Sequence, residues 1–380
     1  MKPSSTVSSQ KQGHAAHCLS DLSAERAVEL SGAMALLRDC VGGHKGERLL
    51  LVCEPDDVNY YDHDAAGLTA AAGRALGMMV YETVSDSLIR DDKDRASLVN
   101  TLAGFDHIIF FSRVGDQIRF CNELAIPSAT MCYTLNPETL NSAFGTACYG
   151  GMQEIKHAID RAFAEATDIR VTCPRGTDFG GRAQFVQGTA DVHIKRFPLL
   201  VPTPIPTAGL KGVVALSRFL TGTGSRIYEP YSLELNVDVL ATFENNKILS
   251  FEGDASEVAR IEAHYQSVSR QLDIQPWFVD SWHPGIHPGC SSGVKAQDDI
   301  VRWSGTAFGN PRVLHFHTCG DYPPGEICWH VLDPTIRIDD VPVWENGRLY
   351  PQRLQDGEAI LARHPDLAWL FDHPSQAIGL

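Results

Sequence analysis

From Glu47 the chain alternates between two hydrophobic periods, and that alternation constrains its fold more than any other feature. ERLLLVCE is a short apolar run, AAGLTAAAGRALG carries its apolar residues at helical spacing, MMVYETV is apolar and β-branched, and DRASLVNTLAGF is helical again. Strand–helix alternation of this kind leads to an open, mainly parallel α/β sheet with helices on both faces, and HIIFFSR from His107 and SATMCYT from Ser128 continue its strands. No GxGxxG follows the first strand, so the sequence lacks the signature of dinucleotide binding. The spacing from Pro137 to about Thr167 predicts helix, with a break at Gly150-Gly151.

After Thr167 the character changes. DIRVTCP, KGVVALSRFL, SLELNVDVLATF and KILSFEG are strand-like segments divided by Gly, Pro and Asn turns. PLLVPTPIPTAGLKG, with its four prolines, can be neither a central strand nor a helix and is expected to cross between sheets or domains. ASEVARIEAHYQSVSRQL reads as an amphipathic helix, and a final helix is expected at about Leu354 to Phe371. The expected class is α/β: a disordered tail over 1–22, an open, mainly parallel α/β domain over 23–168, and a β-rich α+β domain over 169–380 that carries the chemistry.

At 380 residues the chain exceeds one ordinary core, which supports two domains. Its net charge of -15 repels a nucleic-acid backbone, and no basic cluster offsets it. No apolar run approaches the length of a membrane span, so no membrane partner is expected. The ten cysteines are scattered without a CxxC pair and read as reduced thiols, and the first residues lack the apolar core of a secretory signal. These features lead to the expectation of a cytoplasmic protein, and a homo-oligomer is expected.

Chemistry concentrates late in the chain. Fifteen histidines spread evenly would place about two between Ser281 and Leu332, yet His283, His287, His315, His317 and His330 all fall there, with Asp321 and Glu326 among them and Asp280 and Asp333 at the edges. Imidazole nitrogens beside carboxylate oxygens are the mixture that divalent iron, zinc and manganese accept. His283-Pro-Gly-Ile-His287-Pro-Gly presents its imidazoles from a turn stiffened by proline and opened by glycine; the alternative is a plain polar turn. His315-Phe316-His317 has the two-residue repeat that puts both imidazoles on one face of a strand. The pair can chelate a metal, supply one ligand and one acid/base, or serve as a hydrogen-bonded structural pair. His330-Val-Leu-Asp333 ends a strand-like run at an Asp-Pro step, from which both side chains can reach one ion or simply form a strand terminus.

Phe111, Ser112 and Arg113 follow the apolar strand HIIFF at its carboxyl end, where open α/β sheets place ligand-binding groups. Asp178 reads as a turn cap and Glu229, before Pro230, as a solvated loop carboxylate. Two histidines and a carboxylate on one face of Fe(II) leave room for a chelating substrate and dioxygen, whereas the same ligands around zinc suit a hydrolase.

Several ordered segments carry a resemblance: GERLLLVCEP, CYTL with AFGT after it, VTCPRGTDFGGR, KILSFEG, HPGIHPG and WHVLDPTIRIDDVPVWENGRL. From about Leu36 to Tyr350 the chain resembles the iron-dependent 2,5-dihydroxypyridine 5,6-dioxygenases and their relatives, which share a fold with the thermophilic-type metallo-aminopeptidases. The resemblance implies a mononuclear Fe(II) held by two histidines and an aspartate, placed here at His283, His330 and Asp333. The family reads His-x-Asp where this chain has His330-Val-Leu-Asp333, so a bulge at Asp333, or a third ligand from His315, His317 or Asp321, is required. The paired glutamates of the dinuclear aminopeptidases have no clear match. The implied activity is dioxygen-dependent opening of a hydroxylated (hetero)aromatic ring such as a dihydroxypyridine, in a cleft between the domains. His315 or His317 would act as acid/base, and Phe111, Ser112, Arg113 and His287 would line the substrate. A metal-dependent aminopeptidase or amidase, a different oxidative Fe(II) reaction, and a catalytically silent relative are the alternatives.

Overall fold

The computed structural model describes residues 24–85, 89, 92–118, 128–185, 194–223, 227–321 and 325–380. The tail expected over 1–22 lies outside the described residues. Strands β1 (Arg48–Cys53), β2 (Met79–Val84), β3 (His107–Phe111) and β4 (Ala129–Cys132) form where the apolar runs predicted them. Their neighbours pair parallel in the order β2-β1-β3-β4. β1, β3 and β4 are buried along nearly their whole length, as expected of strands covered on both faces.

The second half adds two antiparallel sheets. The strands are β5 (Ile169–Thr172), β6 (Asp178–Gly181), β7 (Lys195–Phe197), β8 (Ile205–Pro206), β9 (Leu210–Leu216), β10 (Phe219–Gly222), β11 (Leu233–Glu234), β12 (Val239–Glu244) and β13 (Lys247–Glu252). They continue with β14 (Val279–Pro284), β15 (Val313–Thr318), β16 (Ile327–Leu332), β17 (Thr335–Ile338), β18 (Val341–Glu345) and β19 (Arg348–Leu349). One sheet has the order β11-β10-β16-β15-β14-β8, the other β13-β12-β9-β6-β5-β17-β18-β19. The prolines of the crossing segment enter a strand only at the two-residue edge strand β8, where a missing N–H does least harm, and its last residues open β9. β7 pairs parallel with β4 and so becomes the fifth strand of the first sheet, although it lies after residue 168.

The six-stranded sheet owes its two faces to strand phase. Trp282, Phe316 and Trp329 are cross-strand partners on β14, β15 and β16 and are fully buried. Their side chains meet Phe179 and Phe243 of the eight-stranded sheet: Phe179 lies 5.5 Å from Trp282 and 5.2 Å from Phe316, ring to ring. Phe163, on the helix Tyr149–Glu165, stands 5.5 Å from Trp282. Trp329 donates to Tyr265 Oη at 2.6 Å, so its polar edge is satisfied inside the core. Truncating any of these rings would cost about 3–5 kcal/mol.

Two helix boundaries differ from expectation. The helical stretch after Pro137 breaks at Ser142 and again before Tyr149, while Gly150 and Gly151 lie inside the first turn of the long helix. Side-chain caps decide this: Asn136 and Thr139 form a reciprocal capping box, and Ser142 accepts from the Phe144 N–H. The final helix is two, Gly357–Arg363 and Pro365–Asp372, because Pro365 can open a helix but not continue one. Among the described residues no helix is long and apolar enough to cross a membrane.

Candidate metal centre

The face opposite the tryptophans carries imidazoles. His283 on β14, His315 on β15 and His330 on β16 are aligned cross-strand partners, and one pleat along stand Ser281, His317 and Cys328. His283, His315 and His317 converge: each offers a ligand atom, and these atoms lie within 4.8 Å of one another. The His283 and His317 rings are 5.3 Å apart and nearly perpendicular, and those of His315 and His317 are 5.1 Å apart. His283 Nδ1 lies 3.1 Å from the Pro202 carbonyl, which can only accept, so Nδ1 carries the proton and Nε2 keeps its lone pair. A backbone carbonyl holding the far nitrogen is the usual support of a metal-ligating histidine. Phe308 stacks on His315 at 4.3 Å, and Cys328 Sγ lies 3.8 Å from His317 Nδ1. Three buried imidazoles of this kind fit one divalent transition metal.

The cluster opens into a cavity of about 100 Å³ whose wall includes all three rings, Cys328 and Phe308. Tyr60, Arg113, Asp116, Tyr133 and Arg196 enter it from the parallel-sheet side. A bulge in β14, between Val279 and Ser281, places Asp280 there. Bulges commonly re-aim a side chain in this way beside a functional site. Burial raises the Asp280 carboxyl above the ordinary range, against a 2.7 Å hydrogen bond from Ser281 Oγ that lowers it.

Of the residues expected to act together, the structure assembles His283, His315 and His317 and separates His330 and Asp333 from them. His330 Nδ1 donates to the Phe219 carbonyl at 3.1 Å, so in the neutral ring Nε2 accepts from the Thr221 hydroxyl at 3.2 Å. Burial among Phe219, Trp303 and Phe308 depresses this imidazole to about 4, keeping it neutral. Asp333 holds Arg312 through both oxygens, at 2.6 and 2.9 Å, and lies outside the cavity wall. The ligand set placed at His283, His330 and Asp333 is therefore not the one the geometry brings together, and His315 and His317 stand with His283 rather than as a separate acid/base pair.

The expected substrate-lining group is also thinned. Arg113 lines the cavity, whereas Phe111 packs edge-on to Tyr61, Ser112 Oγ caps its own turn by accepting from the Val114 N–H, and His287 Nδ1 accepts from the Gly289 N–H with its ring against Phe144. Burial pushes the His287 imidazole down to about 3. Asp178 pairs with Arg170 on the surface. Tyr60, Tyr133, Arg196 and Phe308 had no local pattern to mark them, while Asp280 belonged to the histidine-rich window.

No protein-family model matches the sequence, and no curated protein matches it. Among solved structures, the 2,5-dihydroxypyridine dioxygenase of Pseudomonas putida KT2440 aligns over 88% of this chain and 100% of its own, with TM-score 0.56 and 12% identity. AmpT from Thermus thermophilus aligns over 86% of this chain and 100% of its own, with TM-score 0.47 and 14% identity. The chain thus has the fold of the dihydroxypyridine dioxygenase, as the sequence resemblance implied.

Proposed function

We propose that this protein is a mononuclear Fe(II)-dependent oxygenase acting on a small hydroxylated (hetero)aromatic ring, with the metal held by His283, His315 and His317. The observation that carries this reading is the convergence of three buried imidazoles on the wall of a small cavity, in a chain with the fold of a dihydroxypyridine dioxygenase. When bound, Fe(II) supplies the electron transfer between an electron-rich ring and triplet dioxygen that closed-shell side chains cannot.

The chain's own residues do the rest. The Pro202 carbonyl and the Phe308 ring fix the orientation of His283 and His315. Tyr60 is a phenol kept protonated by burial, and it offers a hydrogen-bond donor to the cavity. Asp280, its carboxyl raised by burial, is the group placed to take the proton from a ring hydroxyl as the substrate binds. The compact volume suits a single ring.

The test is metal analysis of protein purified and reconstituted with Fe(II) under anaerobic conditions, followed by oxygen uptake with dihydroxypyridines and dihydroxybenzenes. One retained equivalent and ring-dependent oxygen consumption are expected. Zinc retention with amide cleavage in the absence of oxygen would overturn the reading in favour of a hydrolase, since three imidazoles also suit zinc. No retained metal would leave a silent relative.

A further inference from the structure

Arg113 is built into the cavity wall as a clamp with an open edge. It is only 5% exposed, and Glu54, itself 3% exposed, accepts from its backbone N–H at 2.8 Å and from its Nε at 3.3 Å. The Tyr60 ring lies under the guanidinium, 4.5 Å from its central carbon. These contacts fix the plane of the group. They leave Nη1 buried with no hydrogen-bond partner among the described residues. Glu54 is not part of the cavity wall, so it stands behind the guanidinium and orients it, while Arg113 itself faces the cavity together with Arg196. A buried guanidinium nitrogen without an acceptor is costly unless a ligand provides one, and the planar fork matches a carboxylate.

Charge balance points the same way. Neutral imidazoles cancel none of the charge of a divalent metal, unlike a set that includes an aspartate. Against the two arginines of the wall stand Asp116 and Asp280, with Glu54 behind Arg113, and Asp116 also accepts from the Tyr133 hydroxyl at 2.9 Å. Part of a divalent metal's charge is then left for the substrate to compensate, and a hydroxylated ring that also bears a carboxylate does so better than a neutral one.

We infer that the ring taken by this cavity carries a carboxylate held by Arg113. The inference rests on the metal-dependent reading of the same cavity and narrows its substrate class. The test is calorimetric titration without oxygen of 2,5-dihydroxybenzoate, 2,5-dihydroxypyridine and plain benzoate, into both the iron-loaded and the metal-free chain. The carboxylated dihydroxy ring is expected to bind on the order of 100-fold more tightly than the dihydroxypyridine, and Arg113→Met to erase that gap by weakening the carboxylated ring far more than the neutral one. Arg113→Lys should keep part of it, because charge remains but the fork is lost. Removing Arg113 strands the buried Glu54, so the double variant Glu54→Gln with Arg113→Met provides a second chain for the same comparison.

Equal affinity for charged and neutral rings in the wild type, or a variant that weakens both alike, overturns the clamp. The two readings separate cleanly. Arg113-dependent binding of benzoate to a chain that retains no metal upholds the clamp and sinks the oxygenase. Oxygen uptake with the neutral ring alone upholds the oxygenase and sinks the clamp.

Discussion

His283 and His315 face each other across the antiparallel pair β14–β15, with ring centroids 5.2 Å apart and planes 20° from parallel. The same register sets Trp282 opposite Phe316 on the reverse face. A one-residue slip would exchange imidazole for indole and destroy the imidazole cluster and the aromatic core together. The burial of Trp282, Phe316 and Trp329 therefore specifies the site energetically, although none of the three touches it. The imidazoles are positioned by the packing on the other side of their own sheet.

The same sheet face carries a fourth histidine, His330, whose hydrogen bonds set it apart from the three that converge. His283→Ala, His315→Ala and His317→Ala are each expected to lose iron retention after anaerobic reconstitution, measured by metal analysis of the desalted protein. His330→Gln is expected to retain it, since both nitrogens of His330 already serve Phe219 and Thr221. Retention by His317→Ala together with loss by His330→Gln would return the site to the alternative ligand set.

What the sequence made legible here is phase, and what it hid is adjacency. The spacing of His315-Phe316-His317 was enough to put two imidazoles on one face, and the strand-like runs were enough for the parallel sheet. The partners of His330 and Asp333 were beyond its reach: Phe219 lies 111 residues from His330, and Arg312 lies 21 residues from Asp333 across a strand pairing that no local pattern announces. The same holds for Arg196, which reaches the cavity only because β7 returns to the first sheet from beyond the expected boundary. The β14 bulge that admits Asp280 is likewise a product of pairing rather than of composition.

Asp333 anchors the end of β16, so its loss should be felt as stability and not as chemistry. Its paired hydrogen bonds to Arg312 are a third exposed, which limits their worth to about 1 kcal/mol. Asp333→Asn is expected to lower the unfolding free energy measured in urea by that amount, while metal content and oxygen uptake stay at wild-type levels. Loss of metal in a variant that remains folded would show that the carboxylate does more.

Gly305 governs how closely the helix Ile300–Ala307 approaches Tyr60 across the cavity. A Cβ at this position would lie 1.7 Å from the Tyr60 hydroxyl oxygen, and Gly305 and Tyr60 both line the cavity. Gly305→Ala must displace the phenol or the helix, an overpacking that costs about 1–3 kcal/mol. Because Tyr60 also supports Arg113, substrate affinity should fall while iron binding is kept. Gly67→Ala, with nothing within 4 Å of the new atom, is the matched control and should be neutral or stabilising.

Three buried imidazoles make the fold sensitive to mild acid. Burial depresses His264 to about 4, His287 to about 3 and His330 to about 4. An unfolded histidine titrates near 6.5, so between these values the unfolded chain binds protons that the folded chain refuses. Stability is then fully present above about pH 6.5 and is lost as the pH falls toward the folded values, by about 1.4 kcal/mol per pH unit for each ring. Urea unfolding is expected to show a nearly flat midpoint from about pH 8 to pH 7 and a steep decline from about pH 6 to pH 4.5. His264 packs near Tyr228, and its Nε2 has no partner among the described residues, so His264→Leu can remove one ring's share of the slope without breaking a hydrogen bond at that atom. A variant whose midpoint falls as steeply with pH as the wild type would show that this histidine already titrates normally in the folded protein.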